Sequence, residues 1–160
     1  MTQRAESGAT SAPEPPVEAA APPQPFRVLP RVDDSNRAYW TGGADGELRI
    51  VRCDTCATWI HPPAPICPSC HGRSLTPAAT SGRGVLHTFT VNHQPWYPGL
   101  DPPYVVGIVA LPEQEGLRIT AGIVGMAPDA VRIGMPVRVE FERYDDVWLP
   151  FFAPDGDVDG

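Results

Sequence analysis

Apolar and polar residues alternate along several short stretches of the second half of the chain, and such alternation is typical of half-buried β-strands. Residues 136–143 show it strictly, because three apolar side chains there alternate with charged ones. Further strands are predicted over residues 84–92, 104–111, 117–124 and 148–152. A helical turn is predicted over residues 128–131, between the third and the fourth strand. Five short strands with this insert predict a mainly β protein with a five-stranded OB-fold barrel over residues 81–153.

The first barrel strand also carries a prediction about its two faces. Val85, His87, Phe89 and Val91 share one parity along this strand, so we expect all four to point into the barrel. His87 would then be a histidine of the core or of the barrel mouth whose ring nitrogens are satisfied by hydrogen bonds.

The residues ahead of the barrel predict a smaller β unit. Two short strands, residues 47–52 and 58–61, flank a pair of cysteines and indicate a rubredoxin-like ribbon over residues 47–75. Trp59 is expected to cover this hairpin as a lid, since so small a unit has no other core. Residues 76–80 are expected to be a short linker to the barrel.

The two ends of the chain are predicted to contribute little to either unit. A short helix is expected over residues 33–46, stopped by Gly42 and Gly43. Residues 1–32 form a predicted disordered tail, because they are rich in proline and alanine and offer almost nothing to bury. Residues 154–160 are expected to be a flexible C-terminus.

The charge of the chain narrows the classes of function. Its 160 residues carry a formal net charge of -7, with twelve arginines and no lysine. Catalysis through a lysine Schiff base or a P-loop lysine is therefore excluded. Residues 81–160 hold eleven acidic residues and five arginines, so this part of the chain would repel the phosphate backbone of a nucleic acid.

The sequence also bears on the compartment in which the protein works. No apolar run reaches the roughly eighteen residues that a membrane-spanning helix requires. The first residues lead into no apolar signal segment. We therefore expect a cytoplasmic protein with reduced cysteines and no membrane partner.

Four cysteines, the only ones in the chain, form two Cys-x2-Cys pairs separated by ten residues. Each pair can present two thiolates from one tight turn, so the two pairs together can close a tetrahedral shell around zinc. The predicted ligands are Cys53, Cys56, Cys67 and Cys70. Two alternatives are left open: a pair of disulfides, which needs an oxidising compartment, and iron in a rubredoxin-like electron carrier, which suits the same ligands.

The sequence offers no set of side chains for nucleophilic catalysis. All four cysteines are assigned to the metal, and no G-x-S-x-G motif presents a serine. We therefore expect no catalytic residue in this chain. His61 and His71 flank the cysteine pairs and are expected to lie beside the metal shell or to face solvent.

Aromatic residues are the candidates for contact with a partner or ligand. His93 opens the long loop between the first two barrel strands, and this loop contains Trp96 and Tyr97. In OB folds the corresponding loop borders the binding face, so all three side chains are candidate contacts. The alternative is that Trp96 folds back and plugs the end of the barrel. Tyr39 and Trp40 are further candidates, which pack either on the ribbon or on a partner.

Several short motifs follow one another in a fixed order: Tyr39-Trp40, Gly46-Glu47-Leu48, Arg52-Cys53-x2-Cys56, Pro62-Pro63, Cys67-Pro68-x-Cys70, Ser81-Gly82-Arg83-Gly84-Val85, Ile133-Gly134-Met135-Pro136-Val137 and Leu149-Pro150-Phe151-Phe152. With these motifs the chain resembles, over residues 33–153, the stand-alone zinc-ribbon/OB-fold proteins, long filed as a domain of unknown function, that accompany acyl-CoA enzymes. The resemblance implies that the four cysteines bind zinc.

The resemblance also implies a function. Proteins of this family are accessory subunits of thiolase-superfamily enzymes or of hot-dog-fold hydratases, so the partner would supply the catalytic residues. This chain would complete the complex and help to hold the CoA part of the substrate. Retro-aldol cleavage of a steroid side-chain thioester is the leading specific case. A binding module for single-stranded nucleic acid is the alternative, which the acidic barrel and the lack of lysine argue against.

Overall fold

The computed structural model describes residues 27–156. Most of the predicted tail and the last four residues of the predicted flexible C-terminus lie outside the described residues. The helical elements are α1 (Arg37–Thr41) and two 3-10 turns (Gly42–Asp45 and Pro128–Ala130). The strands are β1 (Arg49–Cys53), β2 (Trp59–Ile60), β3 (Leu75–Ala79), β4 (Arg83–Asn92), β5 (Tyr104–Ala110), β6 (Arg118–Ile123), β7 (Pro136–Tyr144) and β8 (Val147–Pro154). In this part of the chain no helix combines the length and the apolar character that crossing a membrane would require.

Strands β4 to β8 form a closed barrel in the order β4-β5-β6-β8-β7. Neighbouring strands are antiparallel, except that β6 and β8 pair in parallel. The interior is apolar, and its fully buried side chains include Leu86, Val109, Ile119, Val137 and Phe152. The prediction of a five-stranded OB-fold barrel, with a helical turn between its third and fourth strands, is confirmed.

A β-bulge in β4 changes which side chains face the barrel interior. The register between β4 and β5 skips His87, which is therefore an extra residue in its strand. Before the bulge Leu86 is buried and Val85 is exposed, whereas after it Phe89 and Val91 pack against the core. The prediction that Val85 and His87 point into the barrel is therefore wrong, and the side chain of His87 is exposed.

The ribbon sheet has three strands in the order β2-β1-β3, all antiparallel. Strand β3 pairs with β1 from the first residue of β1 to its last. The predicted linker over residues 76–80 is therefore wrong. The strand was not predicted because it contains Pro77, and proline is depleted from strands in general. Proline is tolerated in an edge strand such as β3.

Ribbon and barrel share one hydrophobic core. Leu48 and Ile50 of the ribbon are 1% and 2% exposed and pack among the buried residues of the barrel. Trp59 packs on the same core, and its backbone N–H donates to the side-chain oxygen of Gln114 at 2.8 Å. The Gln114 side-chain N–H donates in turn to the Trp59 carbonyl at 3.2 Å. Trp59 therefore lies at the junction of ribbon and barrel, and the prediction that it covers the metal hairpin is wrong.

The predicted N-terminal helix does not stop at Gly42 and Gly43. It continues as the 3-10 turn Gly42–Asp45 and ends at Gly46, whose φ of +73° lies in the left-handed region. A Cβ atom added at Gly43 would lie 2.5 Å from the Cβ atom of Trp148 in β8. Gly43 therefore allows the turn to approach the barrel closely.

Gly43→Ala is expected to lower the free energy of unfolding by about 1–3 kcal/mol, the usual cost of adding a methyl group to a filled core. The added methyl group would collide with Trp148 and with the ring of Phe141. Urea unfolding followed by tryptophan fluorescence measures the change. Ala44→Ser, at the exposed neighbouring position of the same turn, is the matched control and should keep the wild-type midpoint. A wild-type midpoint for Gly43→Ala would contradict the close packing of turn and barrel.

Candidate metal centre and exposed aromatic loop

The four cysteines converge on one point of the ribbon. Their Sγ atoms all lie within 4.8 Å of one another, and the pairs Cys53–Cys70 and Cys56–Cys67 are each 3.5 Å apart. Zinc bound tetrahedrally at about 2.3 Å from each sulfur would hold the sulfurs about 3.8 Å apart. The spacing and the donor set therefore fit a metal ion held by four thiolates.

Two turns of the same geometry present these cysteines. In each turn the residue after the second cysteine donates its N–H to the carbonyl of the first, from Ala57 to Cys53 at 2.9 Å and from His71 to Cys67 at 3.0 Å. Ala57 and His71 have φ values of 62° and 59°, in the left-handed region. This conformation turns the backbone back on itself, so that both sulfurs of a pair point to the same side.

Hydrogen bonds around the thiols shift their pKa values in different directions. The Thr58 hydroxyl, 3.1 Å from the Cys56 Sγ atom, is the main cause that lowers the pKa of Cys56 to about 6. Backbone N–H groups, chiefly that of Cys70, lower the pKa of Cys67. The Gly72 N–H also lowers the pKa of Cys70, but the adjoining thiols raise it, on balance to about 12. Four thiols this close cannot all ionise without a cation between them, and a bound metal ion would provide that cation.

The four cysteines differ in their exposure to solvent. Cys53 and Cys67 are 1% and 0% exposed and pack against Ile60 in a small apolar cluster. Cys56 and Cys70 are exposed. One cysteine of each pair is therefore fixed in the ribbon core, while the other borders solvent.

Asp54 ties the first cysteine turn to the start of β3. Its carboxylate accepts hydrogen bonds from the hydroxyls of Ser74 and Thr76, at 2.7 and 3.0 Å. Its backbone N–H donates to the Ser74 carbonyl at 3.0 Å. The metal site is therefore fastened to the third strand of the ribbon as well as to the hairpin.

The two histidines near the cysteine pairs do not join the metal site, which in residues 27–156 consists of cysteines alone. His71 is exposed. His61 is half-buried, its ring centroid lies 5.1 Å from that of Tyr39, and burial lowers its pKa. His71 therefore faces solvent as expected, whereas His61 packs on Tyr39.

Tyr39 and Trp40, two of the candidate contact residues, pack on each other edge to face with ring centroids 4.7 Å apart. Tyr39 also packs against the shared core, and burial raises its pKa. Trp40 is half-buried. Tyr39 thus belongs to the packing of this chain, and much of its ring surface is already covered.

The loop between β4 and β5 carries the other candidates. Trp96 is 65% exposed and Tyr97 is 48% exposed, and His93 is exposed as well. The alternative in which Trp96 plugs the barrel end is therefore wrong. At the base of the loop, the side-chain amide of Asn92 donates to the Tyr104 hydroxyl at 2.6 Å, which joins the two flanking strands. The loop presents two large aromatic side chains to solvent from a braced base.

Two side chains that shape the ribbon could not be found from the sequence, Thr58 and Gln114. The sequence assigns Thr58 only to a predicted strand and makes no prediction for Gln114. The one signal in the sequence is position, because Thr58 follows its cysteine pair at the same distance as Gly72 follows the other pair. The contact between Gln114 and Trp59 joins residues 55 apart in the sequence, so no local pattern could reveal it.

Comparison with known proteins places these features in a family. The family model "ChsH2, rubredoxin-like zinc ribbon domain" matches residues 40–76, and "ChsH2, C-terminal OB-fold domain" matches residues 78–142. A probable enoyl-CoA hydratase alpha subunit from Thermomonospora curvata is 35% identical over 133 residues. The 3-oxo-4,17-pregnadiene-20-carboxyl-CoA hydratase alpha subunit from Mycobacterium tuberculosis is 35% identical over 117 residues. These matches cover 82% and 73% of this chain but 41% and 37% of the two relatives.

A solved structure adds a match over a whole chain. It is described as "Ltp2-ChsH2(DUF35) aldolase", and it is similar to this chain with a TM-score of 0.72 and 35% sequence identity. The match covers 79% of this chain and 98% of that chain. Ribbon, barrel and cysteine cluster are thus accompanied by similarity in sequence and in structure. The chain therefore belongs to the DUF35 family of zinc-ribbon and OB-fold proteins.

Proposed function

We propose that this protein is a non-catalytic accessory subunit that binds and supports a thiolase-fold enzyme acting on an acyl-CoA. The observation that carries the proposal is the match to nearly the whole length of a ChsH2 (DUF35) chain in a structure described as an aldolase. Similarity of this extent in sequence and fold supports the same kind of assembly for this chain. A hydratase-like subunit is the other partner in this class, since two relatives are named as hydratase subunits.

The aromatic loop is the proposed contact with the partner. Trp96 and Tyr97 are the most exposed aromatic side chains in residues 27–156, and both stand on a loop braced at its base. Burial of such rings at the centre of an interface commonly supplies much of the binding energy. His93 at the start of the same loop would border this contact.

Zinc is the proposed metal, held by Cys53, Cys56, Cys67 and Cys70. Four protein ligands complete a tetrahedral shell and leave no position for water or substrate, so the role of the metal is structural. The residues around it agree with this role, because two of the cysteines are fully buried and Asp54 fastens the site to β3. The ion would hold the ribbon in the shape that packs on the barrel.

The finer part of the proposal is the reaction of the complex. The description of the matched structure names an aldolase, and one relative is named for a pregnadiene-carboxyl-CoA substrate. Both support retro-aldol cleavage of a steroid side-chain thioester as the reaction of the partner enzyme. In such a complex this chain would help to assemble the acyl-CoA site, while the partner supplies the catalytic groups.

The purified protein is expected to hold about one zinc ion per chain and to be colourless, because four thiolates complete one tetrahedral site. Elemental analysis gives the metal and its amount, and the visible spectrum distinguishes zinc from iron. Cys67→Ser should lose most of the metal and speed amide exchange in the two cysteine turns, while the barrel amides stay protected. Ser69→Ala, at an exposed position between Cys67 and Cys70, is the control and should keep the metal. Fresh, colourless protein without metal would contradict the zinc site.

The isolated chain is expected to turn over no acyl-CoA, whereas co-expression with a thiolase-like partner should give a soluble and active complex. The double variant Trp96→Ala, Tyr97→Ala should weaken the association by about 2–4 kcal/mol, the range for buried aromatic anchors of an interface. Calorimetry or a pull-down with the partner measures this loss.

Ile133→Ala is the matched control for the loop variant. Ile133 is 66% exposed, about as much as Trp96, but it lies in the segment that leads into β7 and not in the loop. We expect this variant to bind the partner normally. Normal binding by the double loop variant would place the interface elsewhere on the chain, and robust turnover by the chain alone would contradict the accessory role.

A further inference from the structure

The two halves of the metal site differ in one side chain. Thr58 and Gly72 stand two residues after Cys56 and after Cys70, and their carbonyls accept the N–H of the first cysteine of each pair, at 2.8 and 2.9 Å. The Thr58 hydroxyl lies 3.1 Å from the Cys56 Sγ atom and can donate to it. Gly72 has no side chain that could do the same for Cys70. The backbone is thus repeated, while in the described part of the chain the hydroxyl donor is present only in the half that contains Cys56.

The packing around Gly72 leaves little room for a side chain. A Cβ atom added there would lie 3.2 Å from the Cys70 Sγ atom and 3.3 Å from the Thr55 hydroxyl oxygen. Both distances are shorter than ordinary van der Waals contacts. A side chain at position 72 would therefore be crowded against the Cys70 sulfur. The difference between the two halves is therefore built into the site.

Two of the four cysteines are accessible to a reagent in solution. Cys53 and Cys67 are 1% and 0% exposed, so a reagent in solution does not reach them, whereas Cys56 and Cys70 are exposed. A donor hydrogen bond to a metal-bound thiolate withdraws electron density from it and makes it less nucleophilic. Of the two exposed cysteines, Cys56 has such a hydroxyl donor, and within residues 27–156 no hydroxyl donates to Cys70.

We propose that Cys70 is the modification site of the metal centre, the thiolate that an electrophile attacks first, and that the Thr58 hydroxyl protects Cys56 from the same attack. The inference rests on the proposed zinc site. In an alkylation by iodoacetamide, the Cys70 sulfur forms a bond to the methylene carbon, the carbon–iodine bond breaks, and iodide leaves with the electron pair. The product is a neutral thioether, which is a weaker ligand than a thiolate, so zinc is released.

The experiment treats the zinc-loaded full chain with limiting iodoacetamide. Arg52 and Arg73 place all four cysteines on one tryptic peptide, and tandem mass spectrometry of this peptide assigns each modification to its residue. Cys70 is expected to be alkylated faster than Cys56 by a factor of about 2 to 10, the factor that one ordinary hydrogen bond supplies. Zinc release, followed with a colorimetric chelator, should keep pace with modification of Cys70.

Variants of Thr58 test the protective role directly. Thr58→Val removes the hydroxyl at nearly constant shape and should raise the alkylation rate of Cys56 to that of Cys70, while Thr58→Ser keeps the hydroxyl and should retain the wild-type difference. Equal rates in the wild-type protein, or attack at Cys56 first, would overturn the proposal, even if Thr58→Val failed to fold. The zinc content of the untreated sample is measured separately. Protein without zinc would contradict the proposed metal, whereas zinc-loaded protein in which Cys56 reacts first would contradict the proposed order of attack.

Discussion

Strand β1 is the element on which the rest of the structure depends. Its five residues place Ile50 in the core shared with the barrel and Cys53 in the metal site. The same strand pairs with β2 on one side and with β3 on the other. Ribbon folding, metal binding and attachment of the ribbon to the barrel are therefore coupled through one short strand. A change that distorts β1 should therefore disturb all three.

The parts of the fold that could be predicted are those whose signal is local. Strict alternation in β7 gives the strand and its buried face, and the spacing of the cysteines gives the ribbon. The parts that could not be predicted depend on distant contacts. The bulge at His87 is determined by the register with β5, and β3 is stable because β1 offers it a complete partner in spite of Pro77.

The same division holds for the candidate site. The four cysteines could be named from the sequence because few arrangements other than a metal site use two Cys-x2-Cys pairs. The exposure of Trp96 could not be predicted from the sequence, since an aromatic residue in a loop can equally fold back on a small barrel. Whether it does so depends on the packing of the whole barrel. The hydroxyl donor at Thr58 depends on the turn conformation at Ala57, a residue type that gives no hint of a left-handed φ.

The ribbon and the aromatic loop are connected to opposite ends of β4. The ribbon enters the barrel at Arg83, where β4 begins, and the aromatic loop leaves it after Asn92, where β4 ends. An extended strand of this length spans up to about 30 Å, at roughly 3.3 Å per residue. The cysteine cluster belongs to the ribbon, so its effect on a contact made by the loop would be transmitted through the packing of ribbon and barrel. The proposed structural role of the metal and the proposed binding role of the loop thus fall on different units of the fold, and these units are joined by one shared core.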